Sequence, residues 1–381
     1  MKHNNLSSYL KELINMPTPH NAIKKTKHMK LQILFFAFTF IFLNTKAQNT
    51  PLYVGTFTNE ASKGIYQLQF NTETGELGNL ELAINIDNPS FLAYSPDKNH
   101  LYSAHKDGFV SSYKVNKNGK LSLLTRVSSH GKGACHVAVN KSGDKAIVSN
   151  YGTGTATILP VNKNGSISEA TQVFNKNSEN KKSRAHSGAF LNNELYVAYL
   201  GKNAIYSYEL SDNKDKYEET SKSIVETTGN PGPRHFTFTK DGKFIYIINE
   251  LASTITSARK VKNGYKLIDN ISTLDEKFKD ENFCADIHLS HDERFLYGSN
   301  RGENAIAVFK RNKKTGTLKK IQNISVHGDW PRNFTIDPTG KFMLVANQKS
   351  NNISVFKIDS KTGKLSFLDS INAPSPVCLL F

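Results

Sequence analysis

Arg234, His235 and Glu250 hold a cation, an imidazole and a carboxylate within a short stretch of chain. A base of either kind beside a fixed cation can activate water and hold the oxyanion formed when a carbonyl is attacked. Gly232-Pro233-Arg234-His235-Phe236 leads into one apolar run, and Phe244, Tyr246 and Ile248 form a second that ends at Asn249-Glu250. Asp241-Gly242 between them predicts a β-hairpin. An antiparallel hairpin sets the start of one strand beside the end of the next, so Arg234 and Glu250, sixteen positions apart, should share a rim. Similar candidates recur elsewhere. His136, His186, Asp286, His288 and Arg332 lie where other first strands begin. Tyr151, Arg301 and Gln348 follow Asn150, Asn300 and Asn347, as Glu250 follows Asn249. The recurring Asn reads as structural, closing a turn through its side chain. The residue after it changes chemistry from copy to copy, as the lining of a site would.

The hairpin that positions these groups is itself repeated. Copies begin near residues 89, 134, 185, 233, 284 and 331, at intervals of 45 to 51 residues, and most show a third and fourth short strand. Turns such as Asn162-Lys163-Asn164-Gly165 and Lys361-Thr362-Gly363 join those outer strands. Four strands per unit at this period predict an all-β propeller. A seventh unit is split: 52–54 and 64–66 supply its later strands and 377–381 its first, so the two chain ends should share one blade and leave no open edge. The expected fold is a seven-bladed β-propeller over residues 48–381, with four-stranded blades.

Residues 1–47 read differently. Lysines at 24, 25, 27 and 30 precede the apolar run 31–43, and Thr45-Lys46-Ala47 offers small residues before a cut ahead of Gln48. This is a secretory signal pattern, with Met29 an alternative start. The run is too short to span a bilayer comfortably, so no stable membrane span is expected once the leader is cleaved. The expected location is periplasmic or secreted. The net charge is +16; the leader holds seven lysines and one glutamate, leaving +10 on the remainder. Much of that falls in turns, where lysine keeps sheet edges soluble, although a positive field also favours anionic ligands. No nucleic-acid motif appears. Cys135, Cys284 and Cys378 occupy first-strand positions in different copies, with neither disulfide nor metal-ligand spacing, and read as buried apolar residues. Asp286, His288 and Glu250 form no recognised metal set. No metal or other cofactor is expected.

Gly232-Pro233-Arg234-His235, Asn249-Glu250, Cys284-Ala285-Asp286-Ile287-His288, Asn300-Arg301, Pro331-Arg332 and Asn347-Gln348-Lys349-Ser350 resemble, in order, the lactonase family of seven-bladed propellers. That family includes bacterial 6-phosphogluconolactonase and fungal carboxy-cis,cis-muconate cyclase, and the resemblance spans 51–381. It implies activity on a small lactone, hydrolysed in one branch and opened or closed by cycloisomerisation without net hydrolysis in the other. The site set of the cyclase branch maps onto His186, Arg234, Glu250 and Arg301, the expected catalytic residues. His136, His235, Asp286, His288, Arg332 and Gln348 are the expected substrate contacts. Either Glu250 or His186 could serve as base. Two arginines beside a carboxylate weaken it as a base, which favours His186, with Glu250 orienting an arginine or a water. Arg332 is expected as a further anion contact. A secreted location suits a sugar lactone of the periplasm better than one of a cytoplasmic pathway. A non-catalytic binding propeller is the other class left open, since fold alone does not dictate activity.

Overall fold

A computed structural model describes residues 49–58, 61–213, 215–220, 229–262 and 264–381. The expected leader lies outside the described residues. Those described form seven antiparallel sheets of four strands each. Numbered by chain order, blade 1 is the composite: Pro376–Leu380 innermost, then Asn49–Thr56, Gly64–Asn71 and Glu81–Asn85. Pairing of Tyr53 with Leu380 and of Val54 with Leu379 joins the two ends of the propeller. Blades 2 to 7 begin with innermost strands Pro89–Tyr94, Ala134–Val139, Ala185–Leu191, Pro233–Phe238, Phe283–Leu289 and Pro331–Ile336. This is the seven-bladed architecture and closure expected from the repeat.

Sequence pattern explains why the blades stack. Second strands such as Phe244–Asn249 are buried at every position, because both faces meet neighbouring blades. Outer strands such as Leu365–Asn372 are mostly exposed. Each junction between adjacent blades holds one apolar cluster, and the seven clusters complete the ring. Ile248 of blade 5, for example, packs with Ile287 and Leu296 of blade 6. Truncating such a residue to Ala should cost about 2–5 kcal/mol. The hairpin turns are fixed locally. Asp241 Oδ1 accepts hydrogen bonds from the Thr239 hydroxyl (2.7 Å) and the Lys243 N–H (3.0 Å), and Gly242 takes φ 66° between them.

The strand-ending asparagines do more than close their own turns. Asn150, Asn300 and Asn347 each donate through Nδ2 to a carbonyl in the connection arriving from the preceding blade, at Ser129, Thr273 and Val326. They tie blade to blade beside the channel, as a repeated structural residue should.

One further irregularity recurs in every blade. Near its start, each innermost strand slips register against its neighbour, leaving an extra residue in a bulge. The residues skipped are Ser90, Cys135, His186, Arg234 and Arg332 in five blades. Blade 6 skips Ala285-Asp286, and blade 1 skips Val377. A bulge breaks the strict up-down alternation and re-aims a side chain. Here it turns successive residues towards two different levels of the central channel.

Candidate active site

At one mouth of the channel a cavity of about 270 Å³ is lined by Cys135, His186, Glu250, Arg301 and Arg332, with Phe57, Ser90, Lys106 and Tyr151 around them. Bulges supply Ser90, Cys135, His186 and Arg332. The turns that follow second strands supply Phe57, Lys106, Tyr151 and Glu250, and Arg301 is the last residue of its second strand. Arg234 lies behind this surface, only 2% exposed.

Glu250 is the hub. Its Oε2 lies 3.0 Å from Arg234 Nε, 3.2 Å from Arg301 Nη2 and 3.9 Å from His186 Nε2. The Arg234 contact is an ion pair without hydrogen-bond alignment, since Nε donates to no acceptor among the described residues. The Arg234–Glu250 juxtaposition follows from the hairpin: Pro233 pairs with Asn249, and the Glu250 N–H donates to the Gly232 carbonyl (2.7 Å). Arg301 is held from behind by the Phe283 and Cys284 carbonyls (3.2 and 2.9 Å) and covers the Trp330 ring at 5.2 Å.

Arg332 differs from its neighbours. Among the described residues no carboxylate pairs with it; its guanidinium faces the Phe57 ring at 5.3 Å. Burial, and then the charges of Arg234 and Arg301, push its pKa down to about 9. Burial and Arg234 likewise push Arg301 down to about 10. Both stay cationic at neutral pH, but the direction records crowding: three guanidinium groups share one carboxylate. His186 is driven well below the ordinary imidazole value by burial and by Arg234, so it is neutral. Its Nδ1 lies 4.0 Å from Cys135 Sγ, and its ring meets the edge of Tyr151 at 5.5 Å. Burial raises the Cys135 thiol to about 11, which leaves it protonated.

The remaining sequence candidates are not brought to this cavity. His136, His235, Asp286 and His288 line a second cavity of about 430 Å³ farther along the channel, together with Phe91 and Asn333. Bulging separates them from their sequence neighbours: Cys135 and Arg332 face the first cavity, His136 and Asn333 the second. His136, His235, Asp286 and His288, expected as substrate contacts, therefore lie at a different level of the channel from His186, Glu250, Arg301 and Arg332. Gln348 lines neither cavity, and its N–H donates to the Trp330 carbonyl (3.1 Å). Among the described residues no cluster of His, Cys, Asp and Glu is arranged to hold a metal ion.

Sequence reasoning missed Phe57, Ser90 and Lys106 as lining residues, and Cys135, expected as a buried apolar residue like Cys284 and Cys378, is instead half-buried and lines the cavity. Lys106 had a signal. It stands one position after the second strand of blade 2, where other blades carry Tyr151 and Glu250, but His105 replaces the guiding Asn there.

Residues 51–381 match the family model described as lactonase, 7-bladed β-propeller. A 6-phosphogluconolactonase of Bacillus subtilis is 33% identical over 343 residues, covering 86% of this chain and 97% of the relative. A 6-phosphogluconolactonase of Formosa agariphila is 34% identical over 313 residues, covering 77% and 88% respectively. Among solved structures, a periplasmic gluconolactonase of Pseudomonas aeruginosa superposes with a TM-score of 0.83 at 26% identity, covering 87% of this chain and 99% of its own.

Proposed function

The chain belongs to the seven-bladed lactonase family and is a lactone hydrolase; we propose that it opens an anionic sugar lactone in the Glu250 cavity, with Glu250 as the base. The observation that supports an anionic substrate here is the charge pattern: Glu250 is already clamped by Arg234 and Arg301, and it faces a cavity in which Arg332 has no counterion among the described residues. A cavity of about 270 Å³ suits a small metabolite.

His186 loses the reason for preferring it as base, because its pKa falls well below neutrality. As a neutral imidazole it orients the attacking water between Nε2 and the Glu250 carboxylate. The water oxygen attacks the lactone carbonyl carbon while Glu250 accepts its proton. Arg332, with Arg301, stabilises the resulting oxyanion. Collapse breaks the bond from the carbonyl carbon to the ring oxygen, and the proton on Glu250 passes to that oxygen. The product is an open hydroxy acid that ionises in solution.

We place the protein in the periplasm or outside the cell, on the strength of the 31–47 pattern and its likeness to the periplasmic gluconolactonase. Among the described residues no helix is long and apolar enough to cross a membrane. N-terminal sequencing of protein from a periplasmic extract should begin at Gln48; an intact leader would refute the assignment. For the chemistry, proton release should be followed on phosphorylated and plain sugar lactones. Wild type should turn over at least one, and Glu250→Gln should lower kcat by about 10²–10⁴. An unaffected Glu250→Gln variant would remove Glu250 as base, and turnover of no lactone would favour a binding propeller.

A further inference from the structure

We propose that His235 and Asp286 are a positioning pair: they hold the Arg234 guanidinium and, through it, set the Glu250 carboxylate for lactone hydrolysis. The inference rests on the reading that Glu250 is the working base. Three contacts carry it. Arg234 Nη1 donates to the Ala285 carbonyl (2.5 Å) and lies 3.2 Å from His235 Nε2. His235 Nδ1 lies 2.7 Å from Asp286 Oδ1.

A guanidinium has no lone pair to offer, so His235 Nε2 must be the acceptor. The ring proton then sits on Nδ1, where it donates to the Asp286 carboxylate. Both neighbours demand the same tautomer. The two Nη1 hydrogens are thereby committed to Ala285 and His235, which fixes the guanidinium plane and holds the cation with Nε 3.0 Å from Glu250 Oε2, as an ion pair. Asp286 is itself immobilised by Asn333 Nδ2 (2.5 Å), His288 Nε2 (3.0 Å) and the Ile287 N–H (3.0 Å). A carboxylate held on several sides fixes an imidazole, and the imidazole an arginine, as groups behind a reacting shell do elsewhere. Neither His235 nor Asp286 lines the Glu250 cavity, so neither touches substrate.

The test compares His235→Phe, which keeps a ring but removes the acceptor, with His235→Gln, whose amide can accept from Arg234 and donate to Asp286. Lactone hydrolysis and thermal melting are measured on the full chain, and the wild-type tautomer is read from the ¹⁵N shifts of His235. Expected results are a kcat lower by about 10–100-fold in His235→Phe with KM within about twofold, and recovery of most of that kcat in His235→Gln. The wild-type spectrum should show Nδ1 protonated and Nε2 bare. The inference falls if His235→Phe keeps wild-type kcat, if both variants lose kcat alike in step with melting temperature, or if the proton is on Nε2. Absence of lactone turnover in the wild type would instead fail the underlying hydrolase reading, while the tautomer measurement would still report on the pair.

Discussion

Two levels of the same channel treat charge in opposite ways. At the Glu250 level, three arginines share one carboxylate, and Arg332 has no ion pair among the described residues. One level along, Asp286 is matched almost completely. It takes hydrogen bonds from His235, Asn333 and the Ile287 and Phe334 N–H groups, and pairs with His288. Its pKa is held well below the carboxylate range: burial opposes ionisation, but His288 and His235 outweigh it. A buried charge that is fully paired maintains structure, whereas a half-buried charge left over, as at Arg332, costs stability and persists for a ligand. The contrast separates framework from site among residues that are neighbours in sequence.

The largest effect should come from breaking the paired level. Asp286→Ala leaves donors from three blades without their acceptor, and removing one partner of a buried pair costs about 3–5 kcal/mol. Denaturant unfolding should show a loss of that order; a loss below about 1 kcal/mol would undo the contrast. The unpaired level should respond in the opposite direction. Arg332→Met removes a crowded cation, so melting temperature should hold or rise by about 2 °C, while kcat for lactone hydrolysis should fall by about 10²–10³. Reduced stability in Arg332→Met would mean that its charge is already satisfied.

Much of this was legible beforehand, and the rest was hidden for a physical reason. The repeat interval gave the blade count and the shared terminal blade. The hairpin argument placed Arg234 beside Glu250 because pairing of antiparallel strands follows from turn position alone, and the contact is 3.0 Å. The bulges were not visible: no residue type announces a register slip, and Ser90, Cys135, His186, Arg234 and Arg332 have no single side-chain chemistry common to all five. Without the slips, Arg234 and His235 read as one cluster. The preference for His186 as base also depended on burial, which sequence does not report. Its depressed pKa comes first from desolvation and then from Arg234.

Acid should reveal the same division as a change in stability. Burial holds His105 and His235 down to about 4, and lowers His136 and His186 as well. The unfolded chain protonates these imidazoles near 6.5 while the folded chain does not, so unfolding takes up protons between about pH 4 and 6.5. Stability must therefore fall as pH drops through that window. His288 has the opposite sign: burial lowers its pKa, but Asp286 outweighs this and raises it, so its contribution is complete below about 6.5 and fades at higher pH. Melting temperature against pH should fall steeply below about 6.5, and His235→Gln should flatten part of the slope. A curve flat from pH 7 to 4 would show that the buried rings are already charged.

The smallest effect should lie at the lip. Lys106 is exposed, with Nζ 5.8 Å from the centre of the same Phe57 ring that Arg332 faces, and no carboxylate pairs with it among the described residues. A cation in water acts through a screened field, so its contribution should be modest and sensitive to salt. Lys106→Ala should raise KM for a phosphorylated lactone by about two- to fivefold at low ionic strength and leave kcat unchanged, as expected when an interaction is equal in ground and transition states. The difference should shrink as salt approaches 1 M, where the Debye length is about 3 Å. For an uncharged sugar lactone, KM should not move. Equal shifts for charged and uncharged lactones would mean that Lys106 shapes the opening without reading charge. Anion recognition would then rest with Arg332, inside the cavity, where the low dielectric makes a single guanidinium far more effective than an ammonium in solvent.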